Sequence, residues 1–321
     1  MNTDTTLDQT QATVRDRPRS GTQFTIAHSG YSAVIASIGA SVRTLQYDGR
    51  DLIVPFEADS LRPHYRGATL APWPNRIVDG RYTHDGVAYR LPLNEPDRGH
   101  ALHGLVCWLD FPAVRQTDRA VTLGAMIEPQ DGYPFRLALE VTFTISERGL
   151  TTTVSATNLG AERAPFGTGP HPYLVAGPGR VDDWTLQLPA GEVMTVTEDR
   201  LTPAGIRRVE TESNGAYDFR TPRPIAGTAI DHAFTALVRD GSDTATVRLL
   251  DPSGSGVAMT WGTDCPWVQI HTADLPDPAQ SRRGLAVEPM TCPPDAFNST
   301  IDLISIRPGE TSKASWSISA L

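Results

Sequence analysis

Leu137-Ala138-Leu139-Glu140-Val141-Thr142-Phe143-Thr144-Ile145 decides the class of fold. Apolar side chains occupy every second position, with Ala, Glu and Thr between them. That period of two puts Leu137, Leu139, Val141, Phe143 and Ile145 on one buried face of a strand. A Ser-Glu-Arg turn follows, and then Gly149 to Ala156 (GLTTTVSA), which reads as the antiparallel partner of a hairpin. Further strands are expected over 31–37, 41–47, 119–127, 183–188, 245–250 and 313–319. Arg81-Tyr82-Thr83-His84 lies between Asp79-Gly80 and Asp85-Gly86, a short strand bracketed by tight turns. No stretch carries a 3.6-residue apolar stripe over four turns. The 27 glycines and 26 prolines among 321 residues suit many short strands joined by turns. The expected class is all-β, a large antiparallel β-sandwich. A propeller is disfavoured because no blade-length repeat is visible.

Composition narrows the function classes. Hydrophobic residues make up 39% and charged residues 20%, an ordinary globular balance. Residues 1–20 are polar with few apolar anchors and read as a flexible tail, leaving 21–321 as a single domain. The net charge of −9 opposes a non-specific nucleic-acid binder, which needs a basic surface to displace phosphate counterions. The single lysine, Lys313, argues against lysine Schiff-base chemistry. Cys107, Cys265 and Cys292 are too few and too scattered for a disulfide scaffold or a Cys-rich zinc site, and read as reduced, buried thiols. No apolar run approaches the ~18 residues of a membrane span, and the N-terminus lacks a signal-peptide core. A soluble, cytoplasmic protein with no nucleic-acid or membrane partner is expected.

Five places hold titratable residues in turns or at strand ends. In Gly67 to Gly80 (GATLAPWPNRIVDG), two prolines flank Trp73 and Asn75-Arg76 follow. A rigid backbone there sets a guanidinium beside an indole, suited to a polyhydroxylated ligand, or to a structural Arg paired with a buried carboxylate. Gly99-His100-Ala101-Leu102-His103-Gly104 offers two histidines three apart. In a strand they face opposite ways and no third ligand lies nearby, so a metal is not expected, and a single His held by the Gly104 turn reads as a hydrogen-bonding group. His171 sits between Pro170 and Pro172 after two glycines, a rigid mount for an imidazole able to act as acid or base. Glu288 ends the apolar run Leu285-Ala286-Val287, where desolvation would raise its pKa toward that of a useful base. Asp231 stands among apolar strand residues in Ile230-Asp231-His232-Ala233-Phe234. The sequence carries no G-x-S-x-G, Walker loop, H-E-x-x-H or dinucleotide fingerprint.

In this order the segments resemble the aldose 1-epimerase (galactose mutarotase) family. The resemblance rests on Pro74-Asn75-Arg76-Ile77 with Gly80 and Tyr82, Ala101-Leu102-His103-Gly104, Gly169-Pro170-His171-Pro172-Tyr173, Ile230-Asp231-His232-Ala233-Phe234, and Glu288-Pro289 with Pro294-Asp295-Ala296-Phe297-Asn298. It runs from about Thr22 to the C-terminus. It implies a galactose mutarotase-like supersandwich with a sugar in an open cleft, Glu288 as general base and His171 as general acid, with Arg76, His103, Asp231 and Asn75 holding the sugar. No metal or cofactor is implied, and a monomer or homodimer is expected. Glu288 would take the proton of the anomeric hydroxyl while His171 protonates the ring oxygen. Rotation in the open aldehyde and reclosure would then give the other anomer, with a bell-shaped rate profile requiring ionised Glu288 and protonated His171.

Departures bear on the substrate. Leu105-Val106 replace the second glycine that many members carry, and Trp73 and Met290-Thr291-Cys292 resemble a bacterial side branch of the family. Some related enzymes act on hexose 6-phosphates, for which Arg282-Arg283 is a candidate phosphate site. Two other classes compete: a non-catalytic carbohydrate-binding or sensing protein on the same fold, and a lyase or glycosidase using Glu288 and Asp231 as paired carboxylates.

Overall fold

A computed structural model describes residues 17–321 of the chain. Leu137–Ser146 is a strand in which Leu137, Leu139, Val141, Phe143 and Ile145 are all buried, and it pairs antiparallel with Gly149–Asn158, Ser146 opposite Gly149. The hairpin lies inside a nine-stranded antiparallel sheet. Its order is Ala113–Gln116, Ala120–Ile127, Leu137–Ser146, Gly149–Asn158, Thr311–Ala320, Gly256–Trp261, Ala245–Leu250, Thr185–Gln187 and Arg223–Pro224. A six-stranded antiparallel sheet runs Tyr173–Leu174, Leu285–Met290, Trp267–His271, Asp231–Leu237, Ala190–Val196 and Pro203–Arg208. Gln23–His28, Tyr31–Ala36, Ser41–Tyr47 and Arg50–Asp51 form a four-stranded sheet.

One hydrophobic cluster joins the three sheets: Val141 and Phe143 from the first, Phe234, Ile270 and Val287 from the second, and Ile26, Ile35 and Leu45 from the third. The fold is the expected all-β sandwich, and among the described residues the only α-helix is Ala296–Ser299. None of the described helices is long and apolar enough to cross a membrane. All three cysteines are buried and unpaired.

Two expectations shift. The strand expected over 183–188 is only Thr185–Gln187, because Val181–Asp183 forms a 3-10 turn and Leu188 donates its N–H to Phe219 O across a loop. Of the tail expected over 1–20, residues 1–16 lie outside the described residues, and 17–20 do not behave as a tail. Ser20 is buried and bonds Ala58 O through both its N–H and its hydroxyl, while Arg17 pairs with Asp110 and Ser37. The polar composition of this segment hid those backbone and ionic partners.

The six-stranded sheet positions the site. Successive strand residues point to opposite faces, so Val268, Ile270 and Val287 enter the core. Gln269 and Glu288, opposite each other in the register, project from the other face. One strand further, Asp231 stands opposite His271 on that same face.

Candidate active site

Loops from earlier in the chain cover this face and enclose an open cleft of about 450 Å³. His171 enters from a pinned segment. Its N–H donates to Ala68 O (3.0 Å) and its carbonyl accepts from Gly67 N (2.8 Å), while Gly169-Pro170 and Tyr173-Leu174 on either side are held in strand pairs. The imidazole Nε2 comes within 3.4 Å of Glu288 Oε1, with side chains 7% and 2% exposed. Sequence-distant residues are thus brought into direct contact by a rigid proline corner and a central strand.

Burial governs both groups. It pushes the Glu288 carboxyl well above the usual carboxylate range, with Asp231 adding to the shift and Arg76 opposing it. It pushes the His171 imidazole down to about 3, helped by His271. Each shift favours the neutral form. Burial thus opposes the ionised Glu288 and protonated His171 that the acid–base reading needs, because a carboxylate and an imidazolium must both shed water here and no strong hydrogen bond replaces it.

Asp231 behaves differently. Burial alone would raise its pKa, but His271, Arg76 and the Gln269 amide, whose Nε2 donates to Oδ1 at 2.7 Å, outweigh burial and hold it below the usual range. The cleft thus holds one carboxyl favoured neutral and one favoured ionised, the pattern that separates acid–base duty from binding duty.

Arg76 has the buried carboxylate partner that one of its two readings called for. Its Nε and Nη2 donate to Glu95 Oε2 and Oε1 at 2.8 and 2.9 Å, a bidentate buried pair, and Nη2 also lies 4.0 Å from Asp231 Oδ2. It nevertheless lines the cleft. Glu95 binds Arg98 as well, at 3.0 Å. Asn75 and His103 both adopt left-handed backbone, with φ of 53° and 61°, and the His103 N–H donates to Asn75 O at 2.8 Å, tying two covering loops together. The next residue must be glycine: a Cβ on Gly104 would meet Ala71 O at 2.0 Å. The His103 ring stands edge-on to His171 at 4.9 Å and to Tyr65 at 4.7 Å, and burial, followed by the nearness of a second imidazole in His171, keeps its pKa well below the usual value.

The structure therefore brings Glu288, His171, Arg76, His103, Asp231 and Asn75 to one cleft. His100 does not join them. It is buried, with Nε2 against Arg200 O (2.9 Å) and Nδ1 accepting from Asp79 N (3.4 Å), a structural histidine. The phosphate site expected at Arg282-Arg283 does not form. The Arg282 guanidinium is occupied by Asp182 (2.9 Å), Asp274 (2.7 Å) and Ala226 O (2.6 Å), and Arg283 lines a different surface pocket. Among the described residues no group of three or more His, Cys, Asp or Glu is arranged to hold a metal.

Sequence reasoning missed Glu95, Gln269, His271, His64 and Tyr65, and gave Tyr173 no role, although all six line the cleft. Gln269 and His271 alternate with core residues in a strand adjacent to Glu288, a signal visible only once the register is known. Glu95 forms an isolated β-bridge with His100 and His64 sits in the short 3-10 turn Pro63–Tyr65, neither of which leaves a periodic signal.

Comparison with known proteins agrees with this geometry. Residues 22–319 match the family described as Aldose 1-epimerase. The chain is 35% identical over 300 residues to the uncharacterized protein YihR of Escherichia coli K12, covering 93% of each chain. It is 25% identical over 320 residues to the galactose mutarotase of Rattus norvegicus, covering 90% of each. A GalM/aldose epimerase homologue from C. elegans superposes with a TM-score of 0.81 at 21% identity, over 94% of this chain and 98% of the other. The fold is thus that of the galactose mutarotase-like sandwiches. The chain belongs to the aldose 1-epimerase family.

Proposed function

We propose that this protein is an aldose 1-epimerase that interconverts the α- and β-anomers of a free hexose by acid–base ring opening and reclosure. The observation that carries the reading is the direct approach of Glu288 and His171 at the floor of a polar cleft. Anomer exchange needs one proton removed from O1 and one delivered to the ring oxygen, so a carboxyl and an imidazole sharing a single proton match the reaction's balance. The pair starts with that proton on Glu288. Passing it to His171, directly as the 3.4 Å approach shortens or through the sugar's own hydroxyls, gives the carboxylate base and imidazolium acid that the reaction uses. His171 then protonates the ring oxygen as Glu288 takes the anomeric proton.

The remaining cleft groups suit a polyol. Buried polar atoms without a protein partner include His103 Nδ1, His171 Nδ1, Gln269 Oε1, His271 Nδ1 and Glu288 Oε2, all from cleft-lining residues. Leaving such atoms unmade is costly, and sugar hydroxyls, each both donor and acceptor, satisfy them in either sense. Arg76, fixed by Glu95, and ionised Asp231, fixed by Gln269, orient the ring. Binding alone would not require an apposed acid and base, which favours catalysis over a sensing role. Polarimetry of freshly dissolved α-glucose and α-galactose tests the proposal. Wild-type protein should speed the decay of rotation, and Glu288→Gln should slow the enzymatic part by about 10²–10⁴-fold. An unchanged rate in Glu288→Gln overturns the assignment.

A further inference from the structure

Among the histidines that line the cleft, three are accounted for. His171 faces Glu288, His103 is wedged between the His171 and Tyr65 rings, and the His64 carbonyl accepts from the Tyr173 hydroxyl at 3.3 Å. His271 is left over. Among the described residues its side chain makes no hydrogen bond, and the acid–base exchange gives it no step.

Its mount is rigid. Trp267–His271 is an inner strand of the six-stranded sheet, with Asp231 opposite His271 on one neighbour and Ala286 opposite on the other. Residues two apart on a strand share a face, so His271 points the same way as Gln269, whose register partner is Glu288. Ala286 has no polar atom to offer. That leaves the imidazole with Asp231 and with the Tyr173 ring, which stands edge to face at 6.5 Å.

The two ring nitrogens have different surroundings. Nδ1 is buried, and the acidic atom beside it is Asp231 Oδ1 at 3.9 Å. The Asp231 carboxyl is held ionised, and the Gln269 amide fills only part of the acceptor capacity of Oδ1. A carboxylate at this distance is beyond hydrogen-bond reach, yet it draws the imidazole N–H toward itself. The neutral ring therefore carries its proton on Nδ1 and a lone pair on Nε2. Asp274, the other carboxylate at this end of the cleft, is engaged by Arg282 and by the Thr272 hydroxyl, so it does not draw the proton to Nε2. Burial holds His171 neutral and pushes the His64 imidazole down, so neither crowds the ring with positive charge. The side chain is 25% exposed, and with Nδ1 buried that exposure lies on the side away from Asp231, toward the cleft.

We propose that His271 is a specificity-determining residue for anomer exchange: its Nε2 accepts the hydrogen of one non-anomeric sugar hydroxyl, while Asp231 fixes the ring's tautomer from behind. The inference rests on the anomer-exchange reading above and adds a contact that this reading does not contain. A hydroxyl serves such an acceptor. A hydrogen or a fluorine in its place does not, because neither donates, and the buried site is left with an unmade bond.

A panel of deoxy and deoxyfluoro sugars tests this. NMR of anomer exchange gives kcat/KM for whichever of glucose and galactose the protein accelerates more, and for its forms modified singly at C2, C3, C4 or C6, in wild-type protein and His271→Phe. In wild type, one position should lose about tenfold or more on removal of its hydroxyl, and as much on replacement by fluorine. In His271→Phe the loss at that position, and at no other, should shrink to about threefold or less. Comparing the two proteins cancels the effect of fluorine on ring opening itself. If His271→Phe slows every sugar by one common factor, the inference is overturned, for that is what a structural role produces. A fluoro sugar that exchanges as fast as its parent at the position His271 reads overturns it as well. Neither result touches the parent reading. Absence of acceleration for both glucose and galactose in wild type sinks that reading, and this inference with it. Should His271→Phe fail to fold, histidine-selective ¹⁵N NMR of the wild type decides: His271 should carry its proton on Nδ1, and its Nε2 signal should move when sugar is added. The opposite tautomer, or a signal indifferent to sugar, overturns the inference.

Discussion

Replacing His171 by glutamine keeps a polar side chain of similar reach but removes the group that burial holds neutral. In the folded protein the imidazole titrates at about 3, against an ordinary value of 6.5. Between those pH values the unfolded chain binds a proton that the folded chain refuses. His171 therefore costs stability as pH falls below 6.5, and the loss grows until pH reaches about 3. At about 1.4 kcal/mol per pH unit, the loss at pH 5 is about 2 kcal/mol. The side chain is 7% exposed, so solvent screening takes little from this. With an unfolding entropy of about 2.1 cal/mol/K per residue over 321 residues, the effect is a shift of about 3 °C. Melting curves of wild type and His171→Gln at pH 7.5 and pH 5.0 read it directly, because other titrating groups cancel in the difference. Wild-type Tm should fall relative to the variant by about 3 °C between the two pH values. A difference that stays constant within about 1 °C refutes the claim that burial keeps this imidazole unprotonated, and with it the placement of the shared proton on Glu288.

Glu288 carries the opposite sign. Its folded pKa is raised, so its contribution is present at low pH and lost as pH rises through the raised value. Glu288→Gln should thus gain Tm over wild type on going from pH 5 to pH 9, even as activity is lost. Glu95→Gln breaks one side of the buried bidentate pair with Arg76, and urea denaturation should show a loss of about 3–5 kcal/mol; a loss near zero would mean that the pair is solvated. Phe143→Ala removes a ring from the centre of the opening hairpin strand, and the same assay should show a loss of about 3–5 kcal/mol.

The fold was readable where local pattern and tertiary burial agree. Leu137 to Ile145 alternates in sequence because one face of its strand is buried, and the pairing with Gly149–Asn158 follows from the short turn. Val181–Asp183 was not readable from apolar alternation, since its 3-10 turn is closed by polar capping, with the Asp183 carboxylate accepting from the Arg180 N–H. In the site, Glu288, His171 and Asp231 stood out as ionisable groups in apolar or proline-rigid settings, features that survive in one dimension. Gln269 and Glu95 did not, because each matters only through a partner 38 or 19 residues away: Asp231 for one and Arg76 for the other. Arg282 misled for the converse reason, as an Arg-Arg pair looks available until its carboxylate partners are placed. The protonation of the Glu288–His171 pair was also beyond the sequence, since it depends on how completely each group is desolvated.

The central claim is that Glu288 and His171 open and reclose the sugar ring by moving protons on oxygen alone. Two-dimensional exchange NMR of 1-¹³C-labelled glucose and galactose in D₂O tests it most directly. The account predicts exchange cross-peaks between the α- and β-anomers that grow with protein concentration and vanish in Glu288→Gln, with the hydrogens on C1 and C2 retained. Deuterium entering at C2, which signals an enediol, or anomer exchange no faster than in buffer for every sugar, would contradict it.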